Sequence, residues 1–145
     1  MSDLARKLGL APGRSICLLD APPDAEAIAR AACPPGATLT VADGGIDGAA
    51  REAARYDVIL FWPRTLDGLT ERLAALQWRI VPDGVLWIVM PKQAHARARG
   101  VTFAWDEMQA AALRTDLVDN KVASFSETDY ATRFVIRKER RAVYT

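Results

Sequence analysis

Four short stretches of this sequence carry side chains able to hold a ligand or act on one. The first is Asp20-Ala21-Pro22-Pro23-Asp24, directly behind the apolar run Ser15–Leu19. In βα proteins the turn after such a strand is where glycines let backbone amides approach a nucleotide-like ligand. This turn contains no glycine, and Pro22 and Pro23 have no N–H to donate. The second is Asp43 in Asp43-Gly44-Gly45, an acid that either serves a turn or holds a ligand hydroxyl. The third groups Lys92, His95, Arg97 and Arg99 in a polar stretch. It suits an anion or nucleotide site that weakens with salt. His95 is the only histidine, and no Ser, Cys or acid stands at the spacing of a catalytic triad. The fourth is Leu117–Arg133, whose Asp119-Asn120-Lys121 and Glu127-Thr128-Asp129 read equally as a site or as the polar ends of a hairpin, with Lys121 and Arg133 facing each other across it.

The elements that must position these residues follow from hydrophobic period and chain punctuation. Ile16–Leu19 is a short all-apolar strand covered on both faces, and Pro22-Pro23 followed by acids opens a helix over Asp24–Cys33 that Pro34-Pro35-Gly36 ends. A second strand over Thr38–Ala42 leads through the turn at Asp43 to a weak helix over Asp47–Arg55. Tyr56–Trp62 is a buried strand stopped by Pro63, and leucines at helical spacing mark Leu66–Ile80. The turn Pro82-Asp83-Gly84 then precedes the strand Val85–Met90. Lys92–Gly100 reads as a polar loop, and Ala104–Leu117 as a helix with Met108 and Ala112 inward. Val118–Ser124 and Tyr130–Ile136, joined through Ser126–Asp129, form an antiparallel hairpin. The sum is an α/β fold, a three-layer, doubly wound and mostly parallel sheet in one domain over residues 1–145, with one reversed strand from the C-terminal hairpin.

Composition narrows the setting. Half of the residues are hydrophobic, and 19 basic residues nearly balance 18 acidic ones. No overall field therefore calls for nucleic acid or membrane as a partner. The basic excess lies after Pro91, much of it in Arg137-Lys138-Glu139-Arg140-Arg141, which reads as a solvated strand end. Cys17 and Cys33 have neither the C-x-x-C spacing nor the ligand cluster of a metal or redox site, and the early acid in Met1-Ser2-Asp3, with no long apolar run behind it, leads us to expect no secretory signal. A cytoplasmic protein with reduced thiols and no metal is the expectation.

The phrase Arg79-Ile80-Val81-Pro82-Asp83-Gly84-Val85-Leu86-Trp87-Ile88-Val89-Met90-Pro91-Lys92 resembles the region around the fifth strand of class I S-adenosylmethionine (SAM)-dependent methyltransferases, in which a closing hairpin also completes the sheet. The chain further resembles a family of small bacterial proteins of unknown function with that fold. This likeness runs through Leu8–Gly13, Ala21–Pro23, Met90–Lys92 and, most strongly, Leu117–Thr128 with Arg133-Phe134-Val135.

The resemblance implies a class I methyltransferase-like Rossmann fold, with a candidate SAM pocket at Asp20, Ala21, Pro22 and Asp43. There the glycine positions of the cofactor turn fall on Asp20, Pro22 and Asp24. Two carboxylates near the ligand's own carboxylate would cost about 4 kcal/mol at 4 Å, even at an effective dielectric near 20. Asp43 matches the acid that holds the ribose, whereas Phe61-Trp62-Pro63-Arg64 lacks the Asn/Asp of the amino-methylating motif. The sequence thus favours a non-catalytic, methyltransferase-like module without a cofactor, binding a small molecule or a protein. A divergent SAM-dependent methyltransferase, with SAM or S-adenosylhomocysteine as its ligand, is the alternative, and an anion or nucleotide binder the next. Because little chain separates the second strand from Tyr56, that strand is expected at a sheet edge, where a homodimer could form.

Overall fold

The computed structural model describes residues 2–42, 45–51 and 54–145. Asp43 and part of the segment before Tyr56 lie outside the described residues. The chain runs α1 (Asp3–Leu8), β1 (Ser15–Leu19), α2 (Pro23–Ala32), β2 (Thr38–Val41), α3 (Gly45–Arg51), β3 (Tyr56–Phe61) and α4 (Leu69–Leu76). It continues through β4 (Ile80–Pro91), α5 (Gln93–Arg99), α6 (Trp105–Leu113), β5 (Leu117–Ser124) and β6 (Asp129–Ile136), and closes with a 3-10 helix over Lys138–Tyr144.

One six-stranded sheet in the order β2-β1-β3-β4-β6-β5 carries the fold. β1 pairs in parallel with β2 and β3, and β3 with β4, while β6 runs antiparallel to both β4 and β5. β2 is an edge strand, as its short connection to β3 implies.

Alternation along the strands divides the core between two faces. Cys17, Leu19, Ile59, Phe61, Leu86 and Ile88 face α3, α4 and α6, where Ile46, Leu73 and Met108 meet them. Ile16, Leu18, Val58, Leu60, Trp87 and Val89 face α1 and α2, through Leu8, Ala25 and Ala29. Small alanines on α2 let the helix lie close to the sheet. The result is three layers with residues of β1, β3 and β4 buried on both sides.

Four elements differ from the sequence reading. Residues 93–99 are helical: Ala94, Ala96 and Ala98 favour the helix and Gly100 ends it at φ 71°, signals masked by the polar side chains between. Asp3–Leu8 is a helix capped by Ser2, whose hydroxyl accepts from the Ala5 N–H at 3.1 Å, and ended by left-handed Gly9. Pro82-Asp83-Gly84 does not precede a strand but bulges within β4, between the pairs Tyr56–Ile80 and Val58–Val85. The basic end beyond Ile136 folds back and buries Tyr144, whose ring lies 4.2 Å from that of Trp78.

Candidate functional site

The connections leaving β1 and β3 diverge, β1 continuing to β2 on one side of the sheet and β3 to β4 on the other. In open α/β sheets, ligands settle in the crevice outside the carboxyl ends of such strands. Here Asp20 follows β1 and Trp62-Pro63-Arg64 follow β3. Two cavities open at that place. One of about 380 Å³ is lined by Asp20, Ile46, Asp47, Phe61, Thr65, Leu69 and Arg72, and the other, of about 180 Å³, by Pro22, Trp62, Val89, Pro91, Arg99 and Val101; both also touch Pro63 and Arg64, and Asp20 borders each. A third cavity, about 560 Å³, lies beyond the end of β4 between α5 and α6 and shares Pro91 and Val101 with the second. The three are neighbours along the carboxyl edge of the sheet, each sharing lining residues with the next, and the two larger ones fall within the range of roughly 300–1,000 Å³ usual for small-molecule sites.

Asp20 turns the chain at this edge with φ 60°, the only described non-glycine residue at positive φ. That left-handed conformation is the one a glycine would take at no steric cost. Asp20 thus takes, without being a glycine, a backbone conformation that glycine favours. The Asp20 carboxylate crosses to the start of α3, where Oδ2 accepts from the Ile46 N–H at 3.4 Å. Gly45 makes room for it: a Cβ there would lie 2.0 Å from Oδ1. Asp24 is not a free charge either, because its carboxylate lies 3.6 Å from Arg99. Arg99 is shared with Asp129 and Asp24 stays largely exposed, so the contact offsets only part of the Asp24 charge.

The basic group of α5 divides. Arg99 is turned inward, with its side chain 19% exposed, and pairs with wholly buried Asp129 through Nη2–Oδ1 at 2.9 Å and Nη1–Oδ2 at 3.1 Å. The Trp62 indole N–H donates to Oδ2 at 3.2 Å, and the Thr128 hydroxyl to Oδ1 at 3.0 Å. Arg99 is therefore committed to a strut joining α5, the end of β3 and the β5–β6 turn. His95 and Arg97 are exposed, Lys92 is half-buried, and none of the three lines the cavities along the strand ends or bonds through its side chain to described residues. The four do not converge on one anion.

Asp119 and Asn120 are likewise engaged. Gln109 donates to both Asp119 oxygens, at 3.1 and 3.2 Å, and Arg133 to Asn120 Oδ1 at 2.8 Å. Lys121 and Arg133 stand opposite each other in the hairpin register, two like charges that cannot form an ion pair, and Arg133 bonds Asn120 instead. Among the described residues no group of three or more His, Cys, Asp or Glu could hold a metal ion. No helix of these residues is long and apolar enough to cross a membrane.

Several cavity-lining residues escaped the sequence reading, among them Ile46, Arg64 and Tyr130. Arg64 stood next to the strand terminator Pro63 and was legible as a strand-end polar group. Tyr130 reads as an ordinary strand aromatic, and nothing local signals that it borders a cavity.

No family model matches the chain, and no curated protein sequence does. Solved structures do. A SAM-dependent methyltransferase from Aquifex aeolicus superposes with a TM-score of 0.69 at 9% identity, over 92% of this chain and 87% of the other. The N-methyltransferase NodS from Bradyrhizobium japonicum gives 0.57 at 16% identity, over 93% of each chain. A TehB-like SAM-dependent methyltransferase from Corynebacterium glutamicum gives 0.55 at 16%, over 92% and 87%. The fold is that of the class I SAM-dependent methyltransferases. At these identities the likeness carries the architecture and no residue roles.

Proposed function

We propose that the chain is a divergent SAM-dependent methyltransferase that holds SAM or S-adenosylhomocysteine across the ends of β1 and β3. One observation carries the reading: Asp20 makes a left-handed turn at the border of two neighbouring cavities, where the sheet's connections diverge. The donor set fits a nucleoside with a charged tail. Ile46, Phe61 and Leu69 supply apolar surface for a base, and Asp20 supplies an acceptor for the ammonium of the ligand's amino-acid end. Asp43, outside the described residues, is the acid proposed for the ribose hydroxyls. SAM supplies an electrophilic methyl group when bound. The chain's part is to orient that ligand and to leave the third cavity for an acceptor.

Calorimetric titration with SAM and with S-adenosylhomocysteine tests this. Saturable binding at one site per chain is expected. Asp20→Asn, which loses a charge-assisted bond, should weaken it about tenfold, or 1.4 kcal/mol. Asp43→Ala should weaken it as well. Unchanged affinity in both variants would remove these residues from the site.

The non-catalytic module is the second reading. It is favoured by Pro22 and Pro23, which offer the ligand no amide, and by the Arg99–Asp24 contact over the start of α2. Absence of saturable binding to either nucleoside returns the protein to that class. A cytoplasmic setting accords with Cys17 and Cys33 being free thiols. A homodimer paired through the β2 edge belongs to the same proposal, and a monomer mass by light scattering at high concentration would remove it.

A further inference from the structure

We infer that the cavity between α5 and α6 binds a small molecule bearing an ammonium on an apolar body. This goes beyond the cofactor reading and is tested without SAM, so either can fail while the other stands. The cavity measures about 560 Å³, and its apolar surface comes from Met90, Phe103, Trp105 and Tyr130. Every charged side chain on its lining is acidic. Asp106 and Glu107 border it, and no Lys, Arg or His does. α5 offers it Gln93 and Ala96, while Lys92, His95 and Arg97 lie off its lining.

Both acids stand in the first turn of α6, where negative charge is favoured by the helix. The partly open aromatic surface beside them adds a face that a cation can stack against. Each carboxylate is already steadied by one amide: Glu107 Oε1 accepts from the Ala104 N–H at 2.9 Å, and Asp106 Oδ1 from the Glu107 N–H at 3.1 Å. The second oxygen of each is not engaged by any described residue. Trp105 is held as well, its indole N–H donating to Thr132 Oγ1 at 2.8 Å, so the indole is positioned before a ligand arrives. Burial raises the Tyr130 phenol above its ordinary pKa, and at physiological pH the ring is uncharged beside the carboxylates with or without that shift. Aromatic faces attract a cation through their quadrupole. Fixed carboxylates add to that attraction and repel an anion of the same shape.

The test uses the full chain and three probes of one shape: phenethylammonium, 2-phenylethanol and 3-phenylpropanoate, followed through backbone amide shifts. Phenethylammonium should saturate with shifts centred on residues 103–107 and 130, bind at least tenfold more tightly than 2-phenylethanol, and leave 3-phenylpropanoate without measurable binding. Asp106→Asn with Glu107→Gln keeps both cap acceptors and should abolish the preference for the cation while 2-phenylethanol binds as before. Equal affinity for the ammonium and the alcohol overturns the inference. So does preference for the propanoate, saturation centred elsewhere, or no saturation by the ammonium. Should the double variant fail to fold, the three-probe series on the unmodified chain decides alone.

Discussion

Arg99 on α5 meets Asp129 at the start of β6 through two parallel N–H···O contacts of 2.9 and 3.1 Å, and the carboxylate between them is wholly buried. A guanidinium matches a carboxylate in this forked way as a lysine does not. The pair bridges the end of the sheet to the helix that walls two of the cavities. Its consequence is structural, but its location makes it a condition for the site.

Removing Arg99 leaves that carboxylate with the Trp62 N–H and the Thr128 hydroxyl as its remaining side-chain donors. Breaking a buried pair from one side costs about 3–5 kcal/mol, and the partial exposure of Arg99 places Arg99→Ala near 3 kcal/mol. Arg99→Lys, which keeps the charge and loses the fork, should fall between. Urea midpoints read both, and a midpoint unchanged in Arg99→Ala would falsify the assignment.

Asp20 allows a different test. A non-glycine residue in the left-handed region costs roughly 1–2 kcal/mol, while glycine loses about 0.5–1 kcal/mol in chain entropy on ordering. Asp20→Gly also gives up the long bond from the Ile46 N–H, worth no more than about 1 kcal/mol. The terms nearly cancel, so Asp20→Gly should change stability by less than about 1 kcal/mol. Asp20→Val places a β-branched residue where φ is positive and should lower the melting temperature clearly. Equal melting temperatures for the two would mean that the turn relaxes to another conformation.

Much of the fold was legible because local signals agreed with it: proline stops after Trp62 and Met90, alanines on α2 and unbroken apolar runs in β1 and β3. What stayed hidden was set by distant partners. Asp129 reads as a hairpin-turn acid, and nothing near it shows that Trp62, 67 positions earlier, donates to it. Pro82-Asp83-Gly84 reads as a turn because those residue types break strands, yet β3 beside it holds the segment in the sheet as a bulge. The candidate site was half legible. The strand ends gave its place, whereas its shape came from the way α3, α5 and α6 close over them.

That bulge explains Gly84. A Cβ there would stand 2.9 Å from the Val81 carbonyl oxygen and 3.1 Å from that of Asp57, both backbone atoms that a rotamer change cannot move. Gly84→Ala should therefore push β4 off β3 and cost about 1–3 kcal/mol, as overpacking does. Chemical denaturation reads the loss. Increased hydrogen exchange at Tyr56–Val58 would place it at the bulge, and a neutral variant would show that the strands separate freely here.

Tyr144 couples the C-terminus to pH. Its hydroxyl donates to Asp116 Oδ2 at 2.6 Å, and Arg55 donates to its carbonyl. Burial first, and then the bond and the negative charge of Asp116, push the phenol far above its ordinary value of 10.0, with Arg140 opposing. A neutral form favoured by folding leaves stability level below the unfolded-state value. Above about pH 10 the unfolded chain ionises while the folded one does not, so stability falls from there upward. Tyr130, raised in the same direction by burial, adds to the slope. Tyr144→Phe should cost about 1 kcal/mol at neutral pH through the lost hydrogen bond, and it should flatten the decline above pH 10, since one of the two shifted phenols is gone. Denaturant midpoints from pH 7 to 11 measure both effects. Parallel curves for the two proteins would mean that Tyr144 titrates alike in the folded and unfolded chains.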